Sequence, residues 1–258
     1  MKLYNLRVPE KARVPILVSM PHSGTYVPPE INNRFRKNPR PILTNMDWHL
    51  EKLLDFLPDM GVTVLQATHS RYVVDLNREV KEPLFGPIAS SVIFATTTHG
   101  SPLYETEPTN DEIKARLTAY YYPYHEKLQT LLDGMKQEFG HVVLLDLHSY
   151  FWGPETDVCL GNRHGSTCSE SVITLVEQAF GSQGYRVSKN EKWIGGYITR
   201  RYNNLPQLES LQIELRFTAY LAGDYFGEEE ITEWDHEKFR NAKIRLHQVF
   251  GEVINSLA

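Results

Sequence analysis

Cysteine is scarce in this sequence, since only Cys159 and Cys168 occur among 258 residues. Two cysteines exclude both a disulfide framework and a zinc site built from thiolates, so a metal would have to be held by histidine and carboxylate side chains. The low count also favours a reducing compartment, and we expect the protein to be cytoplasmic. Ten histidines are present and offer the nitrogen ligands for such a site.

Long apolar runs and an excess of positive charge are missing as well. No segment approaches the roughly 18 apolar residues of a membrane span, and the N-terminus lacks the apolar core of a signal peptide. The formal net charge is -5, from 27 Lys and Arg against 32 Asp and Glu, which provides no basic field for a polyanion. We therefore expect no membrane and no nucleic acid as partner, whereas local arginines can still bind a small acidic ligand.

Repeats and low-complexity linkers are also absent, and short apolar runs alternate with helical patterns. Strands are predicted at residues 14–20, 62–68, 72–76, 141–148, 157–160 and 211–215. Helices are predicted at residues 44–57 with Thr44 as N-cap, 110–139 with an irregularity at Pro123, 169–180 and 234–257. The pattern indicates one α/β domain over residues 1–258 with a central sheet that is mostly parallel or mixed. The long connection at residues 79–108 is expected to form a lid.

Two histidines stand where two predicted strands end. His22 follows the first strand in Met20-Pro21-His22-Ser23-Gly24, and His148 follows the central one in Asp146-Leu147-His148-Ser149. Ligands of open α/β sheets bind beyond the carboxyl ends of the strands, and two imidazoles with one carboxylate form a catalytic zinc site. Asp47 is the first candidate for the carboxylate and Glu51 the second. Alternatively, Asp47 belongs to a helix cap.

A further predicted strand carries Glu214 between two apolar residues. A buried carboxylate is costly unless it is paired or functional. Beside a metal-activated water, Glu214 would be a general base that later passes the proton to the leaving nitrogen. The alternative is a buried ion pair with Arg216. Asp146 lies two residues before His148, hence on the same side of the strand, and could orient its imidazole.

Two segments rich in arginine suggest how a substrate is held. Arg71 and Arg78 flank a short apolar run, and planar guanidinium groups suit the bidentate capture of a carboxylate. The alternative is a set of salt bridges with neighbouring acids (Asp75, Glu79 and Glu82). The segment Gly195-Gly196-Tyr197-Ile198-Thr199-Arg200-Arg201 is typical of a substrate loop or of a plain turn.

In their order along the chain, these motifs resemble the N-formylglutamate amidohydrolase family. The resemblance extends from about residue 14 to residue 216 and rests on Pro21-His22-Ser23-Gly24, Asp47-Trp48-His49, residues 70–78, Tyr122-Pro123-Tyr124-His125, Asp146-Leu147-His148-Ser149 and Gly195-Gly196-Tyr197-Ile198-Thr199. It implies a phosphorylase/hydrolase-like three-layer sandwich, distantly related to zinc carboxypeptidases. It also implies metal-dependent hydrolysis of N-formyl-L-glutamate to glutamate and formate, the reaction of the histidine-degradation deformylases.

The resemblance assigns roles to residues by their position in matching motifs. It implies Zn²⁺ or another divalent metal on His22, Asp47 and His148. Glu214 matches the base of zinc carboxypeptidases, and Asn77 with Arg78 matches their pair for the substrate carboxylate. We add the hypotheses that Arg71 stabilises the oxyanion, and that Tyr197 with Arg200 or Arg201 contacts the substrate side chain.

The match with these families is incomplete at two places. The residue three positions after His22 is Thr25, so the His-x-x-Glu pair of carboxypeptidases is absent and the third ligand must come from elsewhere. The residues after Glu214 differ from those of the histidine-degradation deformylases. Two other functions therefore stay open: a carboxypeptidase-like hydrolase of small peptides or other N-acyl amino acids, and a non-catalytic protein that binds carboxylate ligands.

Overall fold

Nine strands and seven α-helices are described in a computed structural model, which covers residues 1–10, 13–221 and 229–257. The strands are β1 (Tyr4–Arg7), β2 (Ile16–Met20), β3 (Thr63–Ala67), β4 (Phe85–Gly86), β5 (Ile93–Phe94), β6 (Val142–Tyr150), β7 (Val158–Gly161), β8 (Val187–Lys189) and β9 (Leu208–Arg216). The helices are α1 (Pro29–Asn32), α2 (Leu50–Leu53), α3 (Asn110–Arg116), α4 (Tyr122–Phe139), α5 (Glu170–Ser182), α6 (Tyr197–Arg201) and α7 (His236–Leu257).

Seven of the strands form one mixed sheet in the order β1-β3-β2-β6-β9-β7-β8. The four central strands β3, β2, β6 and β9 run parallel, whereas β1 and β7 run antiparallel to their central neighbours. Every residue of β6 is buried, as the apolar run of its sequence predicts for a strand covered on both faces. Helices flank the sheet, and the predicted α/β fold with a mixed sheet is confirmed.

Helix ends follow local sequence signals. The Thr109 side chain accepts from the Glu112 backbone N–H while the Glu112 side chain caps Thr109, which starts α3 with a capping box. The expected irregularity near Pro123 is confirmed, because a π-helical turn at Leu117–Tyr121 separates α3 from α4. Ser169 caps α5, because its side chain accepts from the Val172 N–H, as serine commonly does at the start of a helix.

Two predicted elements are wrong. In place of the helix expected at residues 44–57, the structure has only α2 and a 3-10 turn at Leu57–Met60. His49 has a φ of 58°, in the left-handed region, so a helix that starts at Thr44 cannot continue through it. The strand expected at residues 72–76 is a buried turn instead. In each segment an aspartate binds His22 at the carboxyl edge of the sheet: the Asp47 N–H donates to its carbonyl, and Asp75 Oδ1 lies 2.8 Å from its Nε2.

The carboxyl ends of the four parallel strands meet at one edge of the sheet. In the register between β6 and β9, His148 stands opposite Glu214, and Ser19 of β2 stands opposite Asp146 of β6. The ends of β6 and β9 therefore bring His148 and Glu214 together at this edge. Across the described ranges, no helix has the length and apolar character needed to cross a bilayer.

Candidate metal centre and active-site crevice

His22, Asp47 and His148 lie together, fully buried, at the carboxyl edge of the sheet. One ligand atom from each residue lies within 4.8 Å of the others, and these residues are a group that could hold a metal ion. Asp47 Oδ2 is 3.1 Å from Nδ1 of His148 and 4.0 Å from Nδ1 of His22. The first-choice carboxylate, Asp47, is thus the one near both histidines, whereas Glu51 lines a separate cavity.

Each imidazole is oriented by a hydrogen bond at Nε2, whereas its Nδ1 is the nitrogen nearer to Asp47. His22 Nε2 is 2.8 Å from Oδ1 of Asp75, and His148 Nε2 is 3.0 Å from Oδ2 of Asp146. A carboxylate on Nε2 fixes the ring and leaves Nδ1 as the nitrogen available to a metal. The two Nδ1 atoms accordingly face Asp47. The orienting role expected for Asp146 agrees with this geometry.

The loop that carries Asp47 is tied to the strands beside it. The Asp47 N–H donates to the carbonyl of His22, and Asp47 Oδ1 accepts from the backbone N–H and the hydroxyl of Ser149 at 3.1 and 3.3 Å. These bonds replace the helix-capping role that was the alternative for Asp47. They hold Oδ1 away from the imidazoles and present Oδ2 to them.

Charge in this cluster is unbalanced. Four buried carboxylates surround it (Asp47, Asp75, Asp146 and Glu214), with Arg71 as the fully buried guanidinium beside them. Burial disfavours charge on His148, but Asp146 and Asp47 overcome this and hold its pKa well above the usual range. Burial and then Arg71 lower the pKa of His22 to about 4, so this ring is a neutral donor to Asp75. The charge on His148 compensates these carboxylates in the protein alone, and a divalent cation could replace its proton in that role, so the cluster fits such an ion.

Glu214 lies next to His148, and it lines the same crevice as His22, Asp47 and His148. Its Oε1 accepts a hydrogen bond of 2.9 Å from the side-chain amide of Gln212, and burial raises the pKa of Glu214 to about 8. A carboxylate in this setting holds a proton more readily than a carboxylate in water. A carboxyl group at this position could act as a general acid or base on a molecule bound beside His22, Asp47 and His148.

Arg71 and Arg78 line the crevice but are already bound to protein groups. Arg71 makes two bonds to Oδ2 of Asp75, at 3.1 and 2.7 Å, and one to the carbonyl of Asn45. Arg78 donates to the carbonyls of Asn77 and Ile88. The salt bridge to Asp75 that was the alternative for Arg71 is therefore present. It also fixes the guanidinium at the wall of the crevice.

The crevice has a volume of about 240 Å³ and a wall formed by residues that the sequence analysis did not select. Four other cavities are larger, at about 420, 430, 340 and 360 Å³, and none of them is lined by a proposed metal ligand. The overlooked wall residues are Asn45, Ser149, Tyr150, Lys192, Trp193, Ile194 and Gln212. For Gln212 a signal existed, because it precedes Glu214 by two residues on a strand and so shares its face.

Tyr197 and Arg200 lie outside the crevice. They line a neighbouring depression of about 360 Å³ that shares Asn77, Arg78, Gly195 and Gly196 with it. Arg200 is paired with Glu79 at 2.8 Å. The segment predicted as a lid borders this depression rather than the crevice, through Glu79, Lys81, Ala89 and Ser90.

Asn77 connects the turn at Gly195 and Gly196, called the glycine turn below, to the centre of the crevice. Its Oδ1 accepts the Ile198 N–H at 2.8 Å, and its Nδ2 lies 3.1 Å from Nε2 of His148. A Cβ on Gly196 would come within 2.4 Å of Asn77 Nδ2, closer than real Cβ contacts. Only glycine fits here, and close packing rather than a special φ is the reason.

Gly196→Ala is expected to displace Asn77 and to destabilise the protein by about 1–3 kcal/mol, the usual cost of overpacking. Denaturant unfolding measures this change. Gly134→Ala is the matched control, since nothing lies within 4 Å of a Cβ there and the residue is inside α4. The free energy of unfolding of this control should exceed that of the parent by about 0.5–1 kcal/mol, because alanine has a higher helix propensity than glycine. Equal stability of the Gly196→Ala variant and the parent would contradict this packing.

Comparisons with known proteins agree with the geometry. The model of the N-formylglutamate amidohydrolase family matches residues 14–221. The N-formylglutamate deformylases of Pseudomonas aeruginosa and Pseudomonas putida are 34% and 32% identical, over 82% of this chain and 84% and 83% of their own lengths. The crystal structure of N-formylglutamate amidohydrolase from Ralstonia eutropha JMP134 superposes with a TM-score of 0.80 at 27% identity, covering 98% of this chain and 97% of that one. The chain thus belongs to the N-formylglutamate amidohydrolase family.

Proposed function

We propose that the protein is an amidohydrolase that cleaves the N-formyl group, or a related N-acyl group, from an acidic amino acid. N-formyl-L-glutamate and water would give L-glutamate and formate. The observation that carries this proposal is the placement of Glu214 in one small crevice with the cluster of His22, Asp47 and His148. Membership in the amidohydrolase family and the names of its relatives support the substrate class.

His22, Asp47 and His148 would hold the metal, with Nδ1 of each imidazole and Oδ2 of Asp47 as the ligand atoms. Two imidazole nitrogens and a carboxylate oxygen, with one position open, match catalytic Zn²⁺, although another divalent metal suits the same set. When bound, such an ion supplies Lewis acidity, which acidifies water and polarises an acyl oxygen. Asp75 and Asp146 keep the two rings in place.

Glu214 is the proposed proton carrier. In its ionised form it takes a proton from the attacking water while the water oxygen bonds to the acyl carbon. It then gives that proton to the nitrogen as the C–N bond breaks, so the amine leaves neutral and the acid remains. Arg71, which Asp75 holds at the wall of the crevice, is proposed to stabilise the oxygen that gains negative charge at the acyl carbon.

Asn77 and Arg78 are proposed to bind the α-carboxylate of the substrate at the border between crevice and depression. Tyr197 and Arg200 would then contact the side-chain carboxylate from the depression. The cytoplasm is proposed as the location of the protein, because a sequence with only two cysteines is typical of reducing compartments.

Turnover of four compounds tests this substrate class: N-formyl-L-glutamate, N-acetyl-L-glutamate, N-formyl-L-methionine and a short peptide. We expect kcat/KM for N-formyl-L-glutamate to exceed that for N-formyl-L-methionine by about 100-fold or more, since N-formyl-L-methionine lacks the side-chain carboxylate that Tyr197 and Arg200 are proposed to contact. Faster cleavage of the peptide would instead indicate a carboxypeptidase-like hydrolase. Binding of N-formyl-L-glutamate without turnover of any compound would indicate a non-catalytic protein.

A further inference from the structure

Gln212 lies beside Glu214 on β9 and connects it to the opposite wall of the crevice. The two residues are two positions apart, so their side chains leave the same face of the sheet, and both line the crevice. Gln212 is only 4% exposed. A buried amide of this kind needs partners for both its donor and its acceptor.

Both ends of the Gln212 amide are bound. Its Nε2 donates to Oε1 of Glu214 at 2.9 Å, and its Oε1 accepts the Gly196 N–H at 2.7 Å. The reversed amide would place NH₂ against an N–H donor and oxygen against a carboxylate, so the neighbours fix its orientation. Glu214 is thereby attached to the backbone of the glycine turn through a single side chain.

The glycine turn is itself a firm support. Gly196 packs against the Asn77 side chain, and Asn77 Oδ1 accepts the Ile198 N–H. On its other side the turn lies against Gly161, where a Cβ would come within 2.6 Å of the Gly195 nitrogen. Arg163 Nη1 donates to the Gly195 carbonyl at 2.8 Å. A group bound to this turn is therefore held in place by several independent contacts.

We infer that Gln212 is a positioning residue, which holds Oε1 of Glu214 against the glycine turn and leaves Oε2 as the oxygen that exchanges the proton. This inference rests on the proposed function of Glu214 as proton carrier. Through Gln212, the glycine turn also supports Glu214, and this turn borders the proposed substrate subsite. Gln212 touches no reacting atom and acts only through Glu214.

Two variants separate the two hydrogen bonds. Gln212→Met removes both, and we expect kcat to fall by about 10- to 100-fold with KM within about threefold, because misplacing a catalytic group by about 1 Å has this effect. Gln212→Glu keeps an acceptor for the Gly196 N–H but faces Glu214 with a second carboxylate, so its kcat should fall at least as far. Ser210→Ala is the control, as Ser210 is buried on the same strand and does not line the crevice.

Metal content, melting temperature and crystal structures complete the test. A fall in kcat with unchanged metal content and thermal stability, and a turned Glu214 carboxylate in the Gln212→Met crystal, support positioning. Full activity in either variant overturns it, and so does a fall that merely parallels lost metal or lost folded protein. If the parent does not hydrolyse N-formyl-L-glutamate, the proposed function fails. The crystal then still decides the inference, since an unmoved Glu214 contradicts it and a turned one supports it.

Discussion

Glu214→Gln is expected to bind metal as the parent does and to lose about 10²- to 10⁴-fold in kcat, the contribution typical of a general acid or base. Glutamine has the same shape and can still accept the bond from Gln212 through its carbonyl oxygen, so the wall of the crevice should persist. It cannot take up a proton from water. Hydrolysis of N-formyl-L-glutamate, followed as formate release alongside metal analysis of each preparation, measures both quantities.

Glu209→Gln is the matched control for this variant. Glu209 lies at the other end of β9, is also buried, and accepts from the backbone N–H of Ser169. A glutamine can still accept that bond, and the residue is absent from the crevice. We expect nearly parental kcat for this control. Parental kcat in Glu214→Gln itself would move the proton carrier to another residue.

Asp47→Asn is expected to weaken metal binding by about 100-fold or more, which exceeds the 10- to 100-fold range seen when only an outer partner of a ligand is lost. Asparagine removes the negative charge and offers a weaker oxygen donor, but it can keep the two bonds from Ser149. The fold should therefore survive. Competition against a chelator of known affinity measures the change without reference to turnover.

Glu51→Gln is the informative companion, because Glu51 is the other carboxylate that the sequence offers as third ligand. In the structure it lines a separate cavity, and burial raises its pKa. We expect its metal affinity to match that of the parent. Tight binding in Asp47→Asn together with weak binding in Glu51→Gln would reverse the assignment.

The sequence was sufficient to predict the parallel centre of the sheet and the edge that carries the site. Uninterrupted apolar residues marked β6, and the polar residues at its end marked the position of His148. The loop from β2 to α2 could not be predicted in the same way. Its spacing of Leu50, Leu53 and Leu54 fits a long helix, but the hydrogen bonds of Asp47 to His22 and Ser149 depend on strands distant in sequence.

Residues that act through hydrogen bonds alone were harder to recognise than ligands. Gln212 carries no charge and belongs to no metal-ligand pattern, so only its two-residue spacing from Glu214 pointed to the crevice. Asp75 was considered only as a salt-bridge partner of the arginines. In the structure its carboxylate binds Arg71 and the Asn77 N–H from its own loop and also His22. A sequence cannot reveal the contact with His22, because 53 residues separate the two.

Metal-dependent hydrolysis by His22, Asp47, His148 and Glu214 is the proposed function. Its most direct test is the metal content of the purified protein together with formate release from N-formyl-L-glutamate, measured before chelation, after chelation and after Zn²⁺ is restored. We predict about one divalent ion per chain at this single catalytic site, loss of formate release on chelation, and recovery with the ion. Undiminished formate release from the metal-free protein would contradict the account.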